Sequence, residues 1–424
     1  MKETTYPSTS ASGPPREVIV LGGGFAGLNL CKHLTDSHFH VTLVDRQNHH
    51  LFQPLLYQVA TAGLSAPEIA QPLRTILADQ KNVTTLMDEV TQVELDGRRV
   101  HTRDRVLPYD YLVIALGAKT GYFGHDEWEP FTFGLKSLDD ATAIRAAVLS
   151  SFERAEMSDD PDEVNRLLTM VVVCGGPTGV EVAGSLAELA QVVFQGDFRR
   201  IDPSRARVHL IEAGSKLLSM FPDDLPDYTR QRLESMGVTV HLNSPVKEVG
   251  EKFVVTGGQR IEANVIIWAA GVEASPVTRT LHGIPLDRGG RIQVQPDLSL
   301  PGYPEVFAAG DIVSLTDQRG VKVPGVSPAA MQMGKHIATI IGSDGNDRPN
   351  FLYWDKGSMA TIGRKAAVAD VKGMRFRGFL AWLVWLFVHL IFLVGMRNRI
   401  SVFMHWVWSY FTWQRGARII TGRS

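Results

Sequence analysis

A chain of 424 residues is long for one hydrophobic core, and 44% apolar with 21% charged residues describes an ordinary globular protein, so two or three domains are expected and extended disorder is not. A formal net charge of −2 excludes the global basic field that nucleic-acid binding needs. Two cysteines, Cys31 and Cys174, without a CxxC pair exclude a disulfide framework or a cysteine zinc site.

Residues 1–15, rich in Ser, Thr and Pro and lacking an apolar core, read as a flexible tail and not as a signal peptide. The β-branched run Val18-Ile19-Val20-Leu21 then leads through Gly22-Gly23-Gly24-Phe25-Ala26-Gly27 into a helical stretch that starts at Leu28. The order is strand, glycine turn, helix. Gly22, Gly24 and Gly27 match GxGxxG, where missing side chains permit the tight turn, the approach of a pyrophosphate and close helix–sheet packing. The helix N-terminus offers its N–H groups to phosphates. A second strand, Val41-Thr42-Leu43-Val44, ends at Asp45-Arg46, which places a carboxylate where a ribose diol is bound. Tyr111-Leu112-Val113-Ile114-Ala115-Leu116-Gly117 reads as a strand returning toward the same site, with Ala115 and Gly117 at its end.

The pattern recurs about 150 residues later. Met170-Val171-Val172-Val173 opens Cys174-Gly175-Gly176-Pro177-Thr178-Gly179, followed by Val180-Glu181-Val182-Ala183-Gly184. Cys174 replaces the first glycine, a departure expected to shift the turn slightly, and the thiol reads as structural filler. The strand Val208-His209-Leu210-Ile211 ends at Glu212, whose charge would repel the 2′-phosphate of NADP, so NADH is expected. The long stretch between these glycines and Glu212 predicts an enlarged helix and loop around Gly196 to Pro203. Val265 to Gly271 returns as the second closing strand. Val306-Phe307-Ala308-Ala309-Gly310-Asp311 adds another strand, a glycine and a carboxylate suited to a flavin ribityl chain. Two such sites imply one bound dinucleotide flavin and one nicotinamide, with hydride passing between them. No HExxH or clustered His/Cys set accompanies His49-His50 and the scattered histidines, so no metal is expected.

These turns resemble the two-dinucleotide-binding flavoproteins, and particular strings narrow the resemblance to the type II NADH:quinone oxidoreductases. They are Asn48-His49-His50-Leu51-Phe52-Gln53-Pro54-Leu55-Leu56-Tyr57-Gln58-Val59-Ala60, Tyr122 to Trp128, and Asp355-Lys356-Gly357-Ser358-Met359-Ala360-Thr361-Ile362-Gly363-Arg364. The resemblance spans residues 16–424 and implies an α/β fold with two Rossmann-like domains and a C-terminal membrane-associating helical region. The expected layout is an FAD-binding domain over 16–165 and 290–345, an inserted NADH-binding domain over 166–289, and a membrane-anchoring, quinone-side region over 346–424. FAD is then held by Gly22, Gly24, Gly27, Asp45 and Asp311, and NADH by Gly176, Gly179 and Glu212. The family's Ala-Gln pair with a later Gln is reduced here to Gln332, a candidate for a quinone carbonyl, with backbone capping as the competing role. Glu181 resembles a glutamate near the nicotinamide and flavin; proton handling competes with a plain helix-N-terminal carboxylate.

The run Phe379 to Gly395 has about the minimum length for a membrane span but carries His389 and several tryptophans, which favour the interface. A second aromatic stretch, Val402 to Trp413, is too short to span. Two interfacial helices are expected, flanked by Arg375, Arg377, Arg397, Arg399, Arg415 and Arg418, with a single span or a buried dimer core as alternatives. The resulting expectation is a non-proton-pumping, monotopic respiratory-chain enzyme on the cytoplasmic face of a bacterial inner membrane, homodimeric, with a membrane quinone and the lipid surface as partners. Its rivals are a sulfide:quinone oxidoreductase, which needs a reactive cysteine pair, and a redox-responsive NADH-binding signalling flavoprotein.

Overall fold

A computed structural model of the protein describes residues 14–222, 224–412 and 416–420. The tail expected over 1–15 falls almost wholly outside the described residues, as do Trp413 and Arg415.

In chain order the elements that build the nucleotide folds begin with β1 (Arg16–Leu21), α1 (Phe25–His33), β2 (Phe39–Asp45), α2 (Leu56–Ala60), β3 (Val83–Met87), β4 (Tyr111–Ile114) and α3 (Leu138–Met157). They continue with β5 (Thr169–Val173), α4 (Pro177–Glu188), β6 (Arg207–Ile211), α5 (Asp224–Ser235), β7 (Val238–His241) and β8 (Val265–Trp268). The last are β9 (Ser299–Leu300), β10 (Tyr303–Ala308), α6 (Ser327–Gly342), β11 (Ser358–Thr361), β12 (Ala367–Val371), β13 (Met374–Arg377), α7 (Gly378–Phe392) and α8 (Met396–Thr412).

Two compact units result. The first gathers the residues up to His50, then Pro72–Ala118 and Glu273–Trp354. Its sheet runs β9-β10-β4-β1-β2-β3, parallel except for the β9–β10 pair. Strand β4 and the last four residues of β1, Val18 to Leu21, are apolar and buried, as expected of parallel strands covered on both faces. Helix α6 lies on α1 at very short range: a Cβ on Gly334 would stand 2.1 Å from the Ala26 carbonyl oxygen. Only glycine permits that approach.

The second unit gathers Leu51–Gln71, Lys119–Val272 and the residues from Asp355 onward. Its parallel sheet is β7-β6-β5-β8. The division runs differently from the boundaries expected from sequence, for identifiable reasons. Residues 119–165 join the second unit because Phe133 extends its sheet, donating to the Ile266 carbonyl at 2.8 Å and accepting from the Trp268 N–H at 2.8 Å. Residues 355–377 join it because the β11–β12 turn presses on α4, where a Cβ on Gly184 would lie 3.0 Å from the Gly363 nitrogen. The segment before Asp355 is tied instead to the first unit by the Phe351 N–H on the Pro296 carbonyl at 2.8 Å.

Strands β11, β12 and β13 form a small antiparallel sheet that carries α7, and α8 packs on α7 and on the short helix Ala66–Ile69. Helix α7 ends after 15 residues, and among the described residues no helix is long and apolar enough to cross a membrane. The second aromatic stretch is the greater part of α8, which begins six residues earlier than the apolar run, at Met396. Both helices invert the usual arrangement of a surface helix. Ala381, Trp385 and Val402 point inward, whereas Leu380, Leu383, Phe387 and Ile391 on α7 and Ile400, Phe403, Met404, Trp408 and Phe411 on α8 are exposed.

Candidate functional site

The first glycine turn is closed by sterics and one carboxylate. Gly22 adopts φ +102°, and a Cβ there would stand 2.3 Å from the Ala115 carbonyl oxygen, so glycine is required twice over. Gly27 is equally constrained, since its Cβ would meet the Gly22 oxygen at 2.0 Å. Gly24 and Gly117, by contrast, face open space within 4 Å, which leaves room for a ligand against the backbone. The Gly23 N–H donates to Asp45 Oδ2 at 2.6 Å. Burial pushes the Asp45 carboxyl above its ordinary value, opposed by the N–H groups of Gln47 and Gly23. Gly310, at φ +83°, comes within ordinary contact of Ala26 and Ala330, and Asp311 sits beside Gly325. The turn, the start of α6 and Asp311 therefore converge in one unit. Phe25 is half-buried, and Arg46 points to solvent.

His50 belongs to this site, which the sequence reading did not anticipate. It is buried, its edge meets Phe25 at 5.0 Å, and its Nδ1–H donates to the Gly23 carbonyl at 3.0 Å. Burial pushes its pKa down to about 4, so the ring is neutral and Nε2 is a bare acceptor with no hydrogen-bond partner. An orphaned buried acceptor beside an open glycine cradle fits a bound ribose-containing dinucleotide, whose hydroxyls are donors. The residues present therefore fit FAD.

The second turn repeats the geometry with a different first residue. Cys174 takes φ +100°, so the expected shift of the turn does not occur; the cysteine adopts the glycine conformation instead. A Cβ on Gly179 would stand 1.8 Å from the Cys174 carbonyl oxygen. The Gly175 N–H donates to Glu212 Oε2 at 2.6 Å and the Gly214 N–H to Oε1 at 2.6 Å. Gly176 and Pro177 are half-buried at the start of α4, Thr178 is exposed, and Gly271 (φ +67°) packs against the Gly121 carbonyl. The enlarged connection takes the form of a π-helical turn, Leu189–Val193, appended to α4, followed by turns up to Pro203. Burial raises the Cys174 thiol and pushes Cys31 up to about 12, so neither is a thiolate near neutral pH.

Glu181 lies on α4, two residues past Gly179. It is buried, accepts the Thr361 N–H at 3.3 Å, and burial pushes its pKa up to about 8. The Trp385 indole N–H falls short of a well-formed hydrogen bond, yet it tempers that rise. Around it the second unit assembles a relay. The Tyr57 hydroxyl lies 3.1 Å from Thr361 Oγ1, Gln58 Nε2 donates to that hydroxyl at 3.0 Å, and the Trp406 indole donates to Gln58 Oε1 at 2.9 Å. Trp382, Trp385, Trp406 and Tyr410 wall the adjoining cleft, which encloses about 740 Å³ including its mouth. His389 stacks on Trp385 at 4.0 Å, and burial lowers its pKa to about 4. Tyr57 and Thr361 lie in strings that carry the family resemblance and Trp385 in the first aromatic run, but the helix and strand periods give no sign that they meet.

Gln332 is placed in the first unit, where its amide closes two hydrogen bonds with the Trp354 backbone: Nε2 donates to the carbonyl and Oε1 accepts the N–H, each at 3.0 Å. That geometry is the backbone-capping role.

Residues 16–334 match the pyridine nucleotide-disulphide oxidoreductase family, and residues 355–413 match the NDH2 C-terminal domain. The chain is 42% identical over 429 residues to the type II NADH:quinone oxidoreductase Ndh of Mycobacterium tuberculosis, an alignment covering 96% of this chain and 91% of that protein. The type II NADH:quinone oxidoreductase of Staphylococcus haemolyticus is 28% identical, with 86% and 91% covered. NDH2 from Plasmodium falciparum, solved in complex with NADH, shares the fold with a TM-score of 0.88 at 21% identity, over 96% of this chain and 100% of that one. The sulfide:quinone oxidoreductase of Aquifex aeolicus shares the fold less closely, with a TM-score of 0.72 at 17% identity over 94% and 95%. The chain belongs to the pyridine nucleotide-disulphide oxidoreductases and, among them, to the type II NADH:quinone oxidoreductases.

Proposed function

We propose that this chain is an FAD-dependent NADH:quinone oxidoreductase. The observation that carries the reading is the pair of glycine turns, each tied to a strand-end carboxylate: Gly23 to Asp45 and Gly175 to Glu212. FAD, when bound, supplies the two-electron relay between NADH and quinone. Gly22, Gly23, Gly24, Gly27, Asp45, Gly310 and Asp311 would hold it, with His50 accepting from one of its hydroxyls. Gly176, Gly179 and Glu212 hold NADH; a carboxylate that already accepts two backbone N–H groups suits a ribose diol and repels a 2′-phosphate.

Quinone reduction consumes two protons, and Glu181 is the group suited to give one. It is neutral at pH 7 and titrates near 8, close to a working pH. The cleft beside it is walled by aromatic side chains, which suit a quinone ring. Tyr57, Thr361, Gln58 and Trp406 fix the surroundings of Glu181 by the hydrogen bonds described. Gln332 keeps the Trp354 backbone in place.

The outward apolar faces of α7 and α8 support docking on a bilayer surface as a monotopic protein, with Arg397 and Arg399 at the headgroup level. A bacterial inner membrane, its cytoplasmic face and a homodimer complete the proposal. The sulfide:quinone alternative is disfavoured by the two thiols, buried Cys31 on α1 and half-buried Cys174 at the second turn, both of which burial keeps protonated.

Stopped-flow absorbance of the detergent-solubilised enzyme tests the function. Anaerobic NADH is expected to bleach the flavin rapidly and a soluble quinone to restore it, with NADPH much slower. Bleaching without reoxidation by quinone would overturn the reading and favour a signalling flavoprotein.

A further inference from the structure

A second cleft in the same unit adjoins the one beside Glu181 and is strongly cationic. It encloses about 480 Å³ including its mouth, and Glu188, Gln191, Arg232, Arg364 and Lys365 line it. Its floor is the π-helical turn, where the Phe194 N–H reaches back to the Leu189 carbonyl at 3.0 Å. Such widened turns recur at binding sites because they displace side chains from the regular helical pattern. Here the displacement brings the Gln191 amide onto Gly237, so tightly that a side chain there would collide with it. Opposite stands the tip of the β11–β12 hairpin. Its residues Gly363 and Lys365 both take positive φ, and Arg364 and Lys365 project from it.

Among the described residues that line it, three cations face one carboxylate. Glu188 already accepts the backbone N–H of Arg364. Among the described residues Arg232 Nε is buried with no hydrogen-bond acceptor; burial depresses the Arg364 pKa, and the Glu188 carboxylate partly offsets that. A buried guanidinium N–H without an acceptor is costly, and a phosphate matches the guanidinium fork. The position of the cleft narrows the phosphate's source. Arg364 and Lys365 lie over the Tyr410 ring of α8 at 4.7 and 5.0 Å, and the adjacent Phe411 is 77% exposed. A phosphate held in the cleft thus has an open apolar helix face beside it.

We propose that this cleft binds the phosphodiester headgroup of an anionic phospholipid, whose acyl chains lie along α8. The proposal rests on the membrane-docking reading of α7 and α8. It makes the protein's seat on the bilayer specific: one lipid fixes the β11–β12 turn and the end of α4, the two elements that bracket Glu181.

The test uses the FAD-loaded enzyme and isothermal titration with dihexanoyl-phosphatidylglycerol below its micelle concentration. Dihexanoyl-phosphatidylcholine and inorganic phosphate are titrated in parallel. Saturable one-site binding of the glycerol lipid is expected, about tenfold tighter than either control. Arg232→Gln with Lys365→Gln should weaken it about fivefold per cation removed. Lys247→Gln with Arg260→Gln, which removes equal charge from exposed strands of the same unit, should change it less than about twofold. Equal losses in the two double variants, or no saturable site, would overturn the proposal. Inorganic phosphate binding as tightly as the lipid would overturn the lipid assignment in favour of a soluble phosphate. Flotation with neutral phosphatidylcholine vesicles separates the two readings. Protein that floats but does not titrate the anionic lipid sinks this proposal alone, and protein that does not float sinks the docking reading together with it.

Discussion

The two glycine turns reach one geometry from different residues. Gly22 and Cys174 both sit near φ +100°, both are followed by an N–H that a strand-end carboxylate accepts at 2.6 Å, and both carry a third glycine whose Cβ would strike their own carbonyl oxygen. The difference lies in the space behind the first residue. A Cβ at Gly22 would collide with the Ala115 carbonyl, whereas the second turn accommodates the Cys174 side chain and lets its sulfur accept the Gly176 N–H at 3.4 Å. The fingerprint is thus a backbone conformation, and glycine is its cheapest tenant. Two residues past the third glycine the turns part again. Asn29 is satisfied within its own helix by the Phe25 carbonyl at 2.8 Å, while Glu181 reaches out to another element at Thr361.

The largest effects should come from breaking each turn separately. Gly27→Ala and Gly179→Ala both force a Cβ against a carbonyl oxygen, a backbone strain of about 1–3 kcal/mol concentrated at the ligand. The first variant is expected to purify without flavin absorbance near 450 nm. The second should keep its flavin and lose rapid bleaching by NADH. If both lost flavin equally, the assignment of one nucleotide to each turn would fail.

Glu181→Gln sharpens the contrast with Asn29 through pH. The folded carboxyl keeps its proton up to about pH 8, whereas the unfolded chain releases it near the ordinary glutamate value of 4.5. Between these values the native state binds more protons than the unfolded one, so this group's stabilisation is complete below the lower value and is lost as pH rises. The wild type should lose up to about 1.4 kcal/mol per pH unit across that window relative to Glu181→Gln, read as a diverging Tm. Parallel melting curves of the two proteins would show that Glu181 does not remain protonated. The same variant should lower kcat with quinone while leaving flavin bleaching by NADH intact.

Glu212→Ala removes an acceptor from two backbone N–H groups and from the expected ribose. A rise of about tenfold in KM for NADH with little change in kcat is the anticipated result, checked by steady-state kinetics. The smallest effect is Cys174→Gly. Relief of an L-residue at φ +100° should outweigh the added chain entropy and raise stability by about 1 kcal/mol, visible as a Tm increase of a few degrees.

Much of this was legible in the sequence because it is local. A β-branched strand, a glycine turn, a helix and a carboxylate at the next strand end follow one another in the chain, so Gly22 to Asp45 and Cys174 to Glu212 could be read directly. Residues that meet across the fold could not. His50 looked like one of several scattered histidines, and its role at the Gly23 carbonyl depends on burial that no period in residues 45–55 signals. Tyr57, Thr361 and Trp385 come from three distant segments and converge only because α2, β11 and α7 share one unit. A cysteine in place of the first glycine suggests a slightly shifted turn, but strand pairing and the Gly179 contact fix the backbone at position 174 and the side chain adapts. The residue type of Gln332 permits two roles equally, and only the position of the Trp354 backbone separates them.

The assembly of the first sheet constrains how the protein is made. Strand β10 and helix α6 are synthesised nearly 300 residues after β1, yet β10 completes the β4 edge and α6 covers α1 with Gly334 against Ala26. Until they emerge from the ribosome, β4 is an open edge and the first glycine turn lacks Gly310 and Asp311. Cofactor capture is therefore a late event in biosynthesis, and the nascent chain must keep an unfinished parallel sheet soluble through most of its translation.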